Sequence, residues 1–432
     1  MRKSVSNDPV EPLAETETLV HTLANGVRVV AERVAGMRSV SAGVWVDTGS
    51  RDEPPEDAGI THFIEHMVFK GTAKRRAHHI ANRMESVGGY LNAFTAKEHT
   101  CYYARALDEH LERALDVVSD LVSAPAFPED EIPKEQEVVV EEMKMYEDQP
   151  EDLIFDRMEA LTYPESALGR PIIGTAETVR GFTREQLLRF TDKYYGPENV
   201  VVTVSGGVDP SRVVRFAEKM LGGLERRPPH ERPPANGYAP AALDEKRPTQ
   251  QAHLALGTRT FSIHDDRRTT LSVLNTILGG GMSSLLSQNI RERYGYCYSI
   301  YSFVNHYTDA GDFGVYMATD PKKVEHSEKL IYRELDRLAS RPVSARVLSQ
   351  AKAQVKGGML LGLENLSSRM NRLGRHALYF GRVLPMGEMV AEVDAVTADA
   401  VRDLAADLFH PDRFARVVLL PDGRAPADSS SE

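Results

Sequence analysis

The sequence predicts an α+β protein of two homologous domains, each a mainly antiparallel sheet with helices packed on one face. Three observations predict it. Runs with strand-like alternation, such as VSAGVWVD at 40–47, stand beside stretches with helical spacing. The segment LERRPPHERPPANGYAPAALDEKRPTQ, 224–250, is dense in proline and mixed charge, so it reads as an extended linker between two halves. A displacement of 210 residues sets THFIEHMVFKG (61–71) on LSVLNTILGGG (271–281). The order of strands and helices then agrees for about a hundred residues, the mark of an internal repeat. The expected divisions are an N-terminal domain over 18–223, the linker over 224–250 and a C-terminal domain over 251–423.

Each element has its own justification. Val20–Glu32 contains an Asn25-Gly26 turn signal between strand-like runs, and Val40–Asp47 alternates as a strand does. Asp57–Phe69 has helical spacing, with Asp57 as a candidate N-cap and Gly71 as a stop. A second helix, HHIANRMESVGG, precedes the strands YLNAFT and HTCYYARAL and a helix from about Asp108 to Leu121. PEDEIPKEQEVVVEEMKMYED, 128–148, is an acidic helix that tolerates Pro133 near its start. The second half runs through TLSVLNTILGGG, SLLSQNIRERYG, YSIYSFV, GDFGVYMAT and a helix over about Pro321–Leu338. NVVVTVSGGV (199–208) and RFARVVLLPD (413–422) close the two halves as strands. The first 15 or so residues and the tail PADSSSE lack apolar patterning and are expected to be disordered.

Composition narrows the function classes. Of 432 residues 41% are hydrophobic and 27% charged, as in ordinary globular proteins. A net charge of −11 argues against a nucleic-acid protein, because phosphate binding needs a concentrated positive face. Cys101 and Cys297 are isolated, without metal-type spacing, which suggests reduced thiols. The start has no apolar signal region, and Asp8, Glu11, Glu15 and Glu17 do not suit a transit peptide. No run approaches the ~18 apolar residues of a membrane span. Cytoplasmic localisation, with no membrane and no nucleic-acid partner, is the expectation.

Residues 61–72, THFIEHMVFKGT, place polar groups in an apolar helix. His62 and His66 stand at i and i+4 on one face, a spacing at which two imidazoles can share one zinc ion. Glu65 lies beside them and can serve as a base toward water. The HxxEH order is the inverse of the commoner HExxH zinc motif. A catalytic zinc normally has a third protein ligand and an open position. The acidic helix offers Glu135, Glu141 and Glu142, and Glu135 and Glu142 share a face two turns apart. Spacing alone does not choose among the three.

HFIEHMVFKGT and EQEVVVEEM together resemble the two metal segments of the inverted zinc metallopeptidases, the pitrilysin, insulysin and mitochondrial processing peptidase family. The resemblance is nearest to the smaller two-domain bacterial members and covers about residues 18 to 422. It implies Glu142 as third ligand and Glu135 as its supporting neighbour. YLNAFTAKEHTCYY is similar to the family's substrate-binding edge strand, which points to Asn92 and Ala93. GGGMSSLLSQNIRERYGYCYS resembles the segment that supplies an arginine and a tyrosine seven apart, here Arg291 and Tyr298. Leu285 stands where smaller members often have arginine.

The expected activity is a zinc endopeptidase, one ion per chain, in which water is activated by Glu65 and cleaves oligopeptides or unfolded segments. Under the repeat, His62, Glu65 and His66 meet Ser272, Asn275 and Thr276, and Glu135 and Glu142 fall near Ala351 and Gly358. One half is therefore expected to carry the metal and the other to support it. Larger family members join four such domains into a closing chamber, so two domains imply a homodimer with Arg291 and Tyr298 acting on the partner's zinc. The rival expectations are a processing peptidase subunit with a non-identical partner and a non-catalytic structural subunit.

Overall fold

Eleven strands, in two sheets, organise the described residues, 16–228 and 231–423 of the computed structural model. The termini expected to be disordered lie outside them. The first sheet holds β1 (Glu17–Thr22), β2 (Arg28–Arg33), β3 (Ser39–Val46), β4 (Tyr90–Thr95), β5 (Thr100–Leu107) and β6 (Val200–Gly206), in the order β1-β2-β6-β3-β5-β4. The second holds β7 (Ala242–Arg247), β8 (Ala252–Thr260), β9 (Cys297–His306), β10 (Gly311–Thr319) and β11 (Ala415–Pro421), in the order β7-β11-β8-β10-β9. Without β1 the two orders are the same. In each sheet one pair is parallel, β2 with β6 and β7 with β11, and the rest are antiparallel.

The strand β7 lies inside the segment expected to be linker. ALDEKR is almost all charge, which suits a solvated extended chain, and an extended chain can also pair. β7 pairs with β11 on one side only, and its charged side chains suit an open edge.

The helices of the first half are α1 (Ile60–Val68), α2 (Ala77–Glu85), α3 (Leu111–Ser123), α4 (Ile132–Glu147), α5 (Pro150–Thr162), α6 (Ala176–Gly181), α7 (Arg184–Tyr194) and α8 (Pro210–Leu221). Those of the second are α9 (Arg268–Gly279), α10 (Val324–Ser340), α11 (Ala345–Gly362), α12 (Leu366–Phe380), α13 (Met386–Ala395) and α14 (Ala398–Leu408). The segment SLLSQNIRERYG forms a wide π-type turn, Ser287–Glu292, where the repeat has α2. One face of each sheet packs against its own half's helices. Phe63, Ile64 and Met67 of α1 and Leu115, Val118 and Leu121 of α3 fill the first core.

The opposite faces are covered by exchange. Leu153, Ile154 and Met158 of α5 pack on Ala255, Tyr316, Val417 and Leu419 of the second sheet. Met370, Leu373 and Ala377 of α12 pack on Val30, Trp45, Cys101 and Val201 of the first. Charge reinforces apolar burial here. The buried Glu32 carboxylate accepts from Arg369 (3.0 Å), Arg372 (2.9 Å) and Ser205 (3.0 Å). The buried Arg51 guanidinium joins Glu98 at 2.6 Å and Asp309 at 2.7 Å, and Arg232 of the interdomain segment joins Asp47 at 2.7 Å and Asp52 at 2.9 Å. Such buried pairs favour one register of the two halves, because a shift that removes one partner leaves the other charged and still buried.

Gly374 is where α12 comes closest to the first sheet: a Cβ there would overlap the Trp45 ring. The ring is fully buried and bonded through Nε1 to Thr203 Oγ1 at 2.8 Å, so it has little room to yield. Gly374→Ala should destabilise the protein by about 1–3 kcal/mol, the usual cost of overpacking. The measurement is the denaturation midpoint of the purified variant against wild type.

Candidate metal centre

Helix α1 begins through tertiary contacts. Asp57 does not cap it; it ends a short turn, Pro55–Asp57, and accepts from Gln186 Nε2 at 3.1 Å. The chain enters the helix at Gly59, whose φ of +93° is a left-handed conformation that glycine tolerates best. A side chain there would also strike the Ile173 carbonyl, whose oxygen lies 2.6 Å from the point a Cβ would occupy. The first amides are satisfied by Glu53, whose Oε2 accepts from Gly59 N at 2.7 Å and Oε1 from Thr61 N at 2.8 Å. A buried carboxylate at a helix start meets the positive end of its dipole. Burial pushes Glu53 up to about 8, against the opposing pull of the two amides.

One turn into α1, His62 and His66 lie ring over ring, with centroids 4.7 Å apart. Glu142, on α4, completes the group. Its Oε2 is 3.4 Å from His66 Nε2 and 4.0 Å from His62 Nε2, and one donor atom from each of the three residues lies within 4.8 Å of the others. Glu135, two turns earlier on α4, accepts from His66 Nδ1 at 2.8 Å, which turns Nε2 toward Glu142. Lys70 Nζ holds the second oxygen of Glu135 at 2.5 Å. Glu141, the remaining candidate ligand, turns outward to Lys144 at 2.6 Å.

The set fits zinc. Tetrahedral bonds of about 2.0–2.1 Å separate ligand atoms by about 3.4 Å, the His66–Glu142 separation, while the His62–Glu142 separation of 4.0 Å is somewhat wider; two imidazoles with a carboxylate are a common zinc donor set. Burial, and the neighbouring His66, push His62 down to about 3, so it is neutral and able to ligate. Its Nδ1 is buried without a hydrogen-bond partner among the described residues. Burial disfavours charge on His66 too, but the Glu135 hydrogen bond and the Glu142 charge outweigh it and raise its pKa. Burial also opposes the charged form of Glu135, but His66 and Lys70 outweigh it and hold the carboxylate below its usual range.

Glu65 sits beside this group without joining it. Its Oε2 accepts from Thr95 Oγ1 at 2.7 Å, and Thr95 is the last residue of β4. Burial raises the Glu65 pKa, with the Thr95 hydrogen bond acting against the rise. Asn92 and Ala93 are on the same strand, which is the edge of the first sheet. Asn92 Oδ1 accepts from the Ala93 amide at 2.8 Å, and its Nδ2 donates to Tyr90 OH at 2.5 Å. His99 is a packing residue, buried among Trp45, Phe94 and Tyr379.

Arg291 and Tyr298 are brought together with each other but not with the histidines. The Arg291 guanidinium lies 5.5 Å from the Tyr298 ring centre, and both line a cleft of about 480 Å³ with Gly280, Gly281 and Met282. Neither makes a hydrogen bond, ion pair or ring contact to His62, Glu65, His66 or Glu142 among the described residues. Tyr298 is 82% exposed. At the positions that repeat the metal face, Ser272 Oγ bonds back to Arg268 O at 3.2 Å and Thr276 Oγ1 to Ser272 O at 2.9 Å. Those hydroxyls are satisfied by their own helix.

Three functional contacts escape the sequence reading. Lys70, at i+4 from His66, has a signal in its helical spacing; Thr95 has a weaker one in its place at a strand end; Glu53 has none. Replacing Glu135 by Gln should weaken zinc binding about 10- to 100-fold, the usual effect of losing a histidine's carboxylate partner. Competition with a chromophoric chelator measures it.

Comparison with known proteins identifies the family. The family model for insulinase, peptidase family M16, matches residues 28–176, and that for the peptidase M16 inactive domain matches 181–355. An uncharacterized zinc protease of Bacillus subtilis is 40% identical over 94% of this chain and 99% of its own length. One of Mycobacterium leprae is 41% identical over 93% and 91%. The fold matches a protease from Helicobacter pylori with a TM-score of 0.88 at 21% identity, covering 94% of this chain and all of that one. The chain belongs to the insulinase family, peptidase family M16.

Proposed function

We propose that this chain is a zinc-dependent endopeptidase that cleaves oligopeptides or unfolded segments as a homodimer. The observation that carries the reading is the convergence of His62, His66 and Glu142 with Glu65 beside them at the end of an edge strand. The relatives' description as zinc proteases supports it. One zinc ion per chain, held by those three residues, would polarise water and the peptide carbonyl.

The remaining steps fall to the chain's own groups. Glu65 takes the proton of the attacking water and delivers it to the departing amine nitrogen. Its raised proton affinity suits a base that must hold a proton between those two events. Glu135, anchored by Lys70, keeps the His66 ring in its ligating orientation. The free edge of β4 takes an extended peptide by main-chain pairing near Asn92 and Ala93, which makes sequence preference weak. Tyr298 donates to the carbonyl oxygen as charge builds there, and Arg291 grips a neighbouring carbonyl or carboxylate.

The exposure of those two residues supports the dimer reading. Tyr298 is large, aromatic and mostly exposed, and among the described residues it makes no hydrogen bond or ring contact with its own metal face. In a homodimer with an enclosed cavity, each chain's Arg291 and Tyr298 would serve the partner's site. Two free thiols, with Cys101 buried, agree with a cytoplasmic protein. Among the described residues no helix is long and apolar enough to cross a membrane.

Wild-type protein should cleave an internally quenched peptide, lose that activity with a chelator and recover it with zinc. Protein that binds no zinc, or cleaves without it, would remove the peptidase reading and favour a structural subunit. Glu65→Gln and Tyr298→Phe chains should each be nearly inactive alone. Mixed dimers of the two should regain up to about half the activity per site pair, since one composite site in each is intact. Verified mixed dimers without recovery would show that the tyrosine acts within its own chain or not at all.

A further inference from the structure

We propose that Thr95 is a positioning residue that sets the general base at the end of the peptide-pairing edge; the inference rests on the peptidase reading above. The register of β4 leads to it. Strand β4 pairs antiparallel with β5, with Phe94 opposite Cys101 and Thr95 opposite Thr100. Across the connecting turn the Ala96 amide donates to His99 O at 2.8 Å. In an antiparallel ladder hydrogen-bonded and non-hydrogen-bonded pairs alternate. Ala96, Phe94 and Asn92 therefore turn their main-chain groups toward the sheet, and Thr95, Ala93 and Leu91 turn theirs toward the free edge.

Those three outward positions are not equivalent. The Ala93 amide is capped by its neighbour's Asn92 Oδ1, a contact that an incoming strand can replace. The Thr95 hydroxyl holds Glu65 Oε2 at 2.7 Å. The base carboxylate thus stands against Thr95, the outward position that follows Ala93. A peptide pairing along β4 reaches the base carboxylate at the next outward position, two residues on. Strand pairing and base placement are joined in one residue.

The consequence for Glu65 is orientational. With Oε2 fixed by Thr95, the carboxylate is held in one plane, and Oε1 remains to receive the proton. A base fixed by hydrogen bonds keeps its reach to the proton it abstracts, and proximity of that kind is lost with displacements near 1 Å. Thr95 does this through its hydroxyl, so a side chain of the same shape without one should pair peptide normally but position the base poorly.

The test compares wild type, Thr95→Val and Thr95→Ser on one quenched peptide, with zinc content measured for each. Thr95→Val should lower kcat at least 10-fold with KM within about 2-fold and one zinc per chain, and Thr95→Ser should recover most of the rate. In a Glu65→Gln background, Thr95→Val should leave the dissociation constant for the uncleaved peptide within 2-fold. Full kcat in Thr95→Val, a change confined to KM, loss of zinc, or failure of Thr95→Ser to recover would each overturn the proposal. Should Thr95→Val not fold, Thr95→Ala is read by the same criteria. Inactive wild-type protein overturns the peptidase reading along with it, whereas active wild type with active Thr95→Val overturns this inference alone.

Discussion

Each sheet has two apolar faces, and its own half covers only one. That constraint governs the rest of the molecule. Exposing Val30, Trp45, Cys101 and Val201 would cost on the order of 25 cal/mol for each Å² of apolar surface left in water. The chain meets the cost by sending α12 across to the first sheet and α5 to the second. The buried Glu32–Arg369–Arg372 cluster then fixes where α12 sits, because a carboxylate so placed tolerates no loss of partners. The second half is thereby structural support for the half that carries the candidate metal centre.

The metal face shows a related division of labour. His66 is held from behind by Glu135 and Lys70, whereas His62 has a buried Nδ1 with no partner among the described residues. One ligand is fixed by hydrogen bonding and the other by helix geometry and burial alone. The start of α1 is set from outside the helix, by Glu53 and by Gly59 against the Ile173 carbonyl. Glu142 comes from α4, and α4 passes after two residues into α5, which is anchored on the second sheet.

Much of this is legible in the sequence, for physical reasons that differ by element. Helical spacing puts His62 beside His66 and Glu135 in line with Glu142, because 3.6 residues per turn is a property of the backbone itself. Strand-like runs mark β3, β5 and β10, rich in β-branched and aromatic residues that suit a pleated, buried surface. The cap of α1 is different: Asp57 is the right kind of residue close to the start, but a tertiary contact from Glu53 prevails. The strand β7 is hidden because its charge suits both a linker and an exposed edge. The helix exchange is beyond reach for a further reason: an apolar stripe says that a helix is buried, not which sheet buries it.

That exchange also bears on ancestry. Helices α5 and α12 occupy corresponding places in the two repeats, and each has left its own sheet for the other's. Two identical polypeptides that trade one helix apiece produce this arrangement, which is the geometry of a swapped pair. A single unit of this design has one face of its sheet bare, and the proline-rich connection keeps a second unit at hand to cover it. Each half is thus bound to go on lending its helix, whatever else in its sequence changes.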